Sequence, residues 1–156
     1  MTPAHRCLLY LLLCLGAAGN AGAADPLAKA GVVKHVAGGV TLQRGASAAP
    51  QAVRLGQAVL VGDVIRTTAN GMTALTLMDD TMLTAGPNSE LVLSEFAFDT
   101  TTQEGGMLIS LWRGTLAVIS GLIAGKNPEK VNVQTRTVVL GVRGTEFIVD
   151  AGTATP

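Results

Sequence analysis

From residue 31 onward, runs of β-favouring residues last no more than about seven positions before a glycine, an Asn-Gly, an Asp-Asp or a Pro-Asn corner breaks them. The runs fall at 32–36, 40–44, 64–68, 72–78, 81–84, 90–94, 107–113, 115–119, 131–134, 137–140 and 145–150. No stretch of a dozen residues carries apolar side chains at helical spacing, so the expected fold is all-β, built of short antiparallel strands and hairpins. Glycine-led alternations begin at Gly39, Gly71, Gly114 and Gly144. Their uneven spacing suits a sandwich or a solenoid-like stack better than a regular repeat. Aromatic residues are 3% of a chain that is 48% hydrophobic, so the core must be assembled from Val, Leu, Ile, Met and Ala.

Within this pattern Asn70-Gly71 lies between two strand runs and predicts a hairpin. Asp79-Asp80 predicts the next turn and Pro87-Asn88-Ser89 the corner after it. Leu75, Leu77 and Leu83, followed by Leu91 and Leu93, alternate as one buried face, with Thr76 and Thr84 opposite. Residues 99–106 read as a polar link between two halves. The second half opens at 107–119, folded around Gly114, with Leu108, Trp112, Leu116 and Val118 as packing residues. Residues 121–130 form the longest expected loop, and a mobile one.

The N-terminus has a different texture. His5 and Arg6 precede an uncharged run from Cys7 to Ala18, and Ala21-Gly22-Ala23-Ala24 supplies small residues for cleavage after Ala23 or Ala24. Twelve apolar residues in a helix span roughly 18 Å, short of a hydrocarbon core of about 30 Å, so a cleaved export signal is expected rather than a membrane anchor. Leu13 stands before Cys14 where a lipoprotein signal has a small residue. The expected division is a signal peptide over 1–24, a poorly ordered leader over 25–30, a β domain over 31–150 and a tail over 151–156. Cleavage leaves about 132 residues with no stable membrane span, and removes both cysteines, so neither a disulfide nor a thiol nucleophile remains. Loss of Arg6 from a chain with 11 basic and 11 acidic residues leaves a net charge near −1, which offers nothing to a nucleic acid.

Candidate chemistry is sparse. His35 is the sole histidine of the mature chain and sits in the first strand run, where it reads as a surface residue. No His, Cys or carboxylate cluster has metal-ligand spacing, and the Asp79-Asp80 pair is better suited to backbone hydrogen bonding in a turn than to calcium or catalysis. Ser89, Ser94, Ser110 and Ser120 lack the glycine-flanked elbow of a hydrolase. Gly141-Val142-Arg143-Gly144 lacks the third glycine of a dinucleotide fingerprint and leads into a strand where phosphate binding needs a helix N-terminus. Its glycines serve a turn or bulge, and Arg143 is either the partner of an acid such as Asp63 or Glu95, or an exposed contact for another protein. No cofactor and no catalytic residue is assigned.

The segments 38–44, 55–91, 111–121 and 133–149 together resemble the FecR domain, through Gly62-Asp63 with Thr67, Pro87-Asn88-Ser89, Gly114, and Gly141-x-x-Gly144-Thr145-x-Phe147. The family pattern has Asp-Gly where this chain has Asp79-Asp80. The resemblance implies a periplasmic all-β domain like the outer-facing part of inner-membrane regulators that resemble anti-sigma proteins. Only about six residues precede the apolar run of the export signal, so no cytoplasmic segment able to hold a sigma factor is expected here. What remains is a non-enzymatic, secreted interaction or sensor-accessory module whose partner is an envelope protein, bound along a sheet edge or at 121–130. The alternative is a cell-wall or polysaccharide binder, for which Trp112 is the one tryptophan able to act as a platform. Strand 145–150 either pairs inside the sheet or leaves an edge open to a partner or to a second copy in a homodimer.

Overall fold

A computed structural model of the chain describes residues 28–45, 47–142 and 144–152. The expected export signal, the first half of the expected leader, Ala46, Arg143 and the last four residues lie outside the described residues. The described residues form thirteen strands: β1 (Lys29–Ala37), β2 (Val40–Arg44), β3 (Gln51–Ala52), β4 (Ala58–Leu60), β5 (Asp63–Thr67), β6 (Met72–Leu77), β7 (Met82–Ala85), β8 (Glu90–Phe98), β9 (Gly105–Arg113), β10 (Thr115–Ile119), β11 (Val131–Gln134), β12 (Val139–Gly141) and β13 (Glu146–Asp150). They form a six-stranded sheet in the order β4-β1-β6-β7-β10-β13 and a seven-stranded sheet in the order β3-β2-β5-β8-β9-β11-β12. One hydrophobic cluster joins the buried faces of both.

The core follows from register. Side chains alternate across a strand, so residues paired between neighbours line up in rows on one face. In the first sheet Val33 pairs with Leu75, Leu75 with Leu83, Leu83 with Val118 and Val118 with Phe147. In the second, Leu42 pairs with Ile65, Ile65 with Leu91 and Leu91 with Leu111. A second row there runs Leu93, Ile109, Val133 and ends at the exposed Leu140 on the edge strand. Aliphatic rows stacked this way fill the space between the sheets without aromatic rings.

The chain changes sheet at eight of the twelve connections between described strands, and at one end of the sandwich the corners bond to one another. Thr68 N–H donates to Gly39 O (2.9 Å), Asn88 N–H to Thr68 O (3.1 Å), Gly86 N–H to Thr115 O (3.0 Å) and Gly114 N–H to Gly152 O (2.9 Å). Side chains reinforce the line: Ser89 N–H donates to Thr67 Oγ1 (2.8 Å), and Ser89 Oγ accepts from Thr115 N–H (3.0 Å) while donating to Thr115 O (3.0 Å). Gly114 has φ +79, and a Cβ there would lie 2.3 Å from Ser89 Oγ and 2.6 Å from Ser89 Cα.

Several expectations change. The Asn70-Gly71 corner is not a hairpin: β5 and β6 lie in different sheets, and the turn carries the chain between them. Neither residue has positive φ, so the turn is not of the hairpin type, and Gly71 N–H closes it onto Thr68 O (2.9 Å). Glycine is required at 71 because a Cβ would lie 2.3 Å from Gly39 O. Residues 99–104 are not a link between halves but the turn of the β8–β9 hairpin. Asp99 Oδ1 accepts from Thr102 N–H (2.9 Å) and Thr101 N–H (2.8 Å), which holds its carboxyl below the usual range. The strands are not all antiparallel, since β11 runs parallel to β9.

The 121–130 loop contains a five-residue helix, α1 (Leu122–Lys126), and a 3-10 turn (Pro128–Lys130), anchored by the fully buried Ile123 and by Leu122 N–H donating to Asp79 O (2.8 Å). A helix this short has too little periodicity to be legible. Leu108 and Trp112 are only half-buried, because β9 turns Met107, Ile109 and Leu111 inward. β1 begins inside the expected leader, at Lys29, and Ala151 in the expected tail donates to Gly114 O (2.9 Å).

Asp79-Asp80 does form a turn, joining β6 to β7. Leu77 N–H donates to Thr81 O (2.9 Å), Asp79 Oδ2 accepts from the Thr81 hydroxyl (2.7 Å), and Asp80 has φ 65. Asp80 therefore occupies the left-handed position that glycine fills at least cost.

Four substitutions test this description by thermal or denaturant unfolding. Leu83→Ala, in the middle of an inner row, is expected to cost about 3 kcal/mol, whereas Met82→Ala on the outer face of the same strand changes stability by no more than about 0.5 kcal/mol. Gly114→Ala is expected to cost at least about 2 kcal/mol through its backbone conformation and its collision with Ser89. Asp80→Gly is expected to stabilise by about 0.5–1 kcal/mol, raising the midpoint by roughly 3 °C.

Candidate interaction site

The residues singled out in the sequence divide between the two ends of the sandwich. Asn70, Gly71, Pro87, Asn88 and Gly114 belong to the bonded corners described above. Gly62, Asp63, Asp79, Asp80 and Gly144 gather at the opposite end, where β5 begins, β6 turns into β7 and the chain enters β13.

Asp63 is fully buried. Its carboxylate accepts from Arg44 Nε (3.1 Å), Arg44 Nη2 (3.2 Å) and Leu60 N–H (2.9 Å), tying β2 and β4 to β5. Arg44 is thus the arginine found on Asp63, while Arg143, the expected partner, lies outside the described residues. The adjacent Gly62 N–H donates to Leu93 O (2.8 Å). Gly141 ends β12 on the surface, Val142 N–H donates to Val131 O (3.1 Å), and the carbonyls of Gly144 and Thr145 accept from Ser120 Oγ (3.0 Å) and Ser120 N–H (2.8 Å). The stretch from 141 to 145 is a crossover between sheets.

On the outer face of the larger sheet a polar chain crosses four strands. Arg66 Nη1 donates to Gln43 Oε1 (2.7 Å), Arg66 Nη2 to Glu90 Oε1 (3.0 Å), and Arg113 Nε lies 3.5 Å from Glu90 Oε2. A β-bulge opposite Glu90 introduces Trp112 beside Arg113. Trp112 is half-buried, so it is neither a core residue nor a fully presented platform. Ser94 and Ser110 hydrogen-bond to each other (2.6 Å), while Ser89 is committed to the corners. His35 is exposed on β1, with its main-chain oxygen accepting from Thr73 Oγ1 (2.8 Å). Among the described residues no three His, Cys, Asp or Glu side chains gather at metal-binding distance, and no helix is long and apolar enough to cross a membrane.

Two surfaces remain, a groove that the sequence did not single out and the strand edge at 145–150 that it left as one of two alternatives. A shallow groove of about 840 Å³ runs over β8, β9, β11 and β12, where Ser94, Glu95, Asn132 and Gln134 stand beside Leu108 and Val139. Beside it the sandwich ends in two edge strands, β12 and β13. These expose Val139 (59%), Leu140 and Ile148 (72%). The alternation at 145–150 announces a strand, but nothing in it says that the strand is last in its sheet.

A protein-family model described as FecR protein matches residues 63–155. Comparisons with curated proteins and with solved structures give no match. The match begins at β5, although β1 and β2 lie inside the same two sheets, so the folded unit starts earlier than the matched segment. Of the residues that carry the resemblance, Gly62 immediately precedes the matched segment, and Asp63, Thr67, Pro87 to Ser89, Gly114, Gly141, Gly144, Thr145 and Phe147 lie within it. The chain belongs to the FecR family.

Proposed function

We propose that this chain is a non-enzymatic protein-interaction or sensor-accessory domain of the periplasm, exported by the signal at 1–24 and bound by an envelope protein along a sheet edge. Membership of the FecR family supports a sensor or regulator type of domain. The observation that carries the mode of binding is the unpaired edge of β13, where Ile148 is 72% exposed. An open edge offers a row of main-chain donors and acceptors that an extended partner segment satisfies, while alternate side chains set its choice.

Two measurements test the proposal. The exported protein is expected to begin at Ala24 or Asp25 by intact mass, and retention of the first 23 residues would overturn processed export. A photo-crosslinker placed along the edge strands in living cells is expected to give a discrete protein adduct. Absence of any adduct, together with a Trp112 emission that shifts on addition of polysaccharide, would replace this reading with glycan binding.

A further inference from the structure

We propose that β13 is the docking strand and that it receives an extended segment of another protein whose alternate residues are basic, apolar and basic. The proposal rests on the edge-binding reading above and specifies which edge and which partner chemistry.

Main-chain bonding fixes what β13 offers. Ser120 N–H donates to Thr145 O (2.8 Å) and Ala151 N–H to Gly114 O (2.9 Å), so the odd-numbered residues of this strand direct their main chain toward β10. The main-chain groups of Glu146, Ile148 and Asp150 therefore point to the open side. The five pairs with β10 run without a register shift, and the strand contains no proline, glycine or lysine. None of those common means of blunting an edge is in use here.

Side chains supply the selectivity. Phe147 and Val149 pack against the core, which leaves Glu146, Ile148 and Asp150 on the outer face. Their neighbours across on β10 are Ile119, Ala117 and Thr115, none of them basic. Asp150 Oδ1 accepts from Gly152 N–H (2.8 Å). Neither carboxylate forms an ion pair among the described residues. The edge thus presents acid, apolar, acid, with the acids uncompensated on the sheet side.

A second copy is a poor occupant. The two-fold antiparallel register that pairs all five residues centres on Ile148 and sets Glu146 of each chain opposite Asp150 of the other, and like charges directly opposite are destabilising. An incoming strand carrying two bases around an apolar residue matches all three positions.

The test uses the full chain and the fluorescently labelled peptide Thr-Lys-Thr-Val-Thr-Lys-Thr, with binding read by anisotropy at low salt. Three further probes are the same peptide with glutamates for lysines, the lysine peptide N-methylated at valine, and the chain variant Glu146→Lys with Asp150→Lys. The expected result is saturable binding of the lysine peptide, at least tenfold weaker binding of the glutamate peptide, loss of binding on N-methylation, and reversed preference in the double variant with Trp112 emission unchanged. Equal binding of both peptides, binding insensitive to N-methylation, or an unreversed preference would overturn the proposal, as would a homodimer dispersed by Ile148→Glu. If these outcomes fail while the crosslinked adduct persists in the double variant, edge binding stands and its assignment to β13 falls.

Discussion

The hydrogen-bonded line of corners at one end of the sandwich is the contact on which the remaining architecture depends. Each corner passes the chain from one sheet to the other, and each leaves main-chain groups that a lone turn would surrender to water. Here they are met by the next corner: Gly39 by Thr68, Thr68 by Asn88, and Gly114 by Gly152, with the hydroxyls of Thr67 and Ser89 filling the gaps. The spacing of these bonds sets the strands in both sheets into register at once. A side chain at Gly71 or Gly114 would push neighbouring corners apart, which explains glycine at positions with quite different backbone angles.

Register in turn explains how a domain so poor in rings closes a core. Leucine, valine and isoleucine in rows across neighbouring strands bury their branches against those of the facing sheet, and each fully buried side chain contributes about 1.5–3 kcal/mol. At the opposite end the buried Asp63 carboxylate holds Arg44 and Leu60, so the shortest strands near that edge are fixed by polar contacts more than by apolar area. The two lateral edges of the stack are held differently: β4 and β2 are tied to β5 through the Asp63 carboxylate, while β13 is joined to β10 by five main-chain pairs.

Much of this was legible beforehand. β2, β10 and β11 occupy the residues their alternation marked, and Leu75, Leu77, Leu83, Leu91 and Leu93 are all buried, although on the inner faces of two sheets and not on one. The failures share a cause. β3 and β4 have two and three residues, too few to show alternation. Asn70-Gly71 has the composition of a hairpin turn, yet its flanking strands find better partners in separate sheets, so the turn adopts a different geometry. Trp112 stands outward with Leu108 because the inward face of β9 is the odd-numbered one, Met107, Ile109 and Leu111, and either face of that strand is apolar enough to be buried.

Alternation of side chains along the backbone is local, and so the amino-acid order already dictated where strands run, which faces are apolar and where glycine must bend the chain. Pairing is not local, because the main-chain groups that join strands are the same at every residue. The parallel placement of β11, the role of Arg44 in holding Asp63, and the exposure of Glu146, Ile148 and Asp150 on an unpaired edge became visible once the sheets were assembled. They arise from which neighbours each strand finds, and not from the composition of the strand.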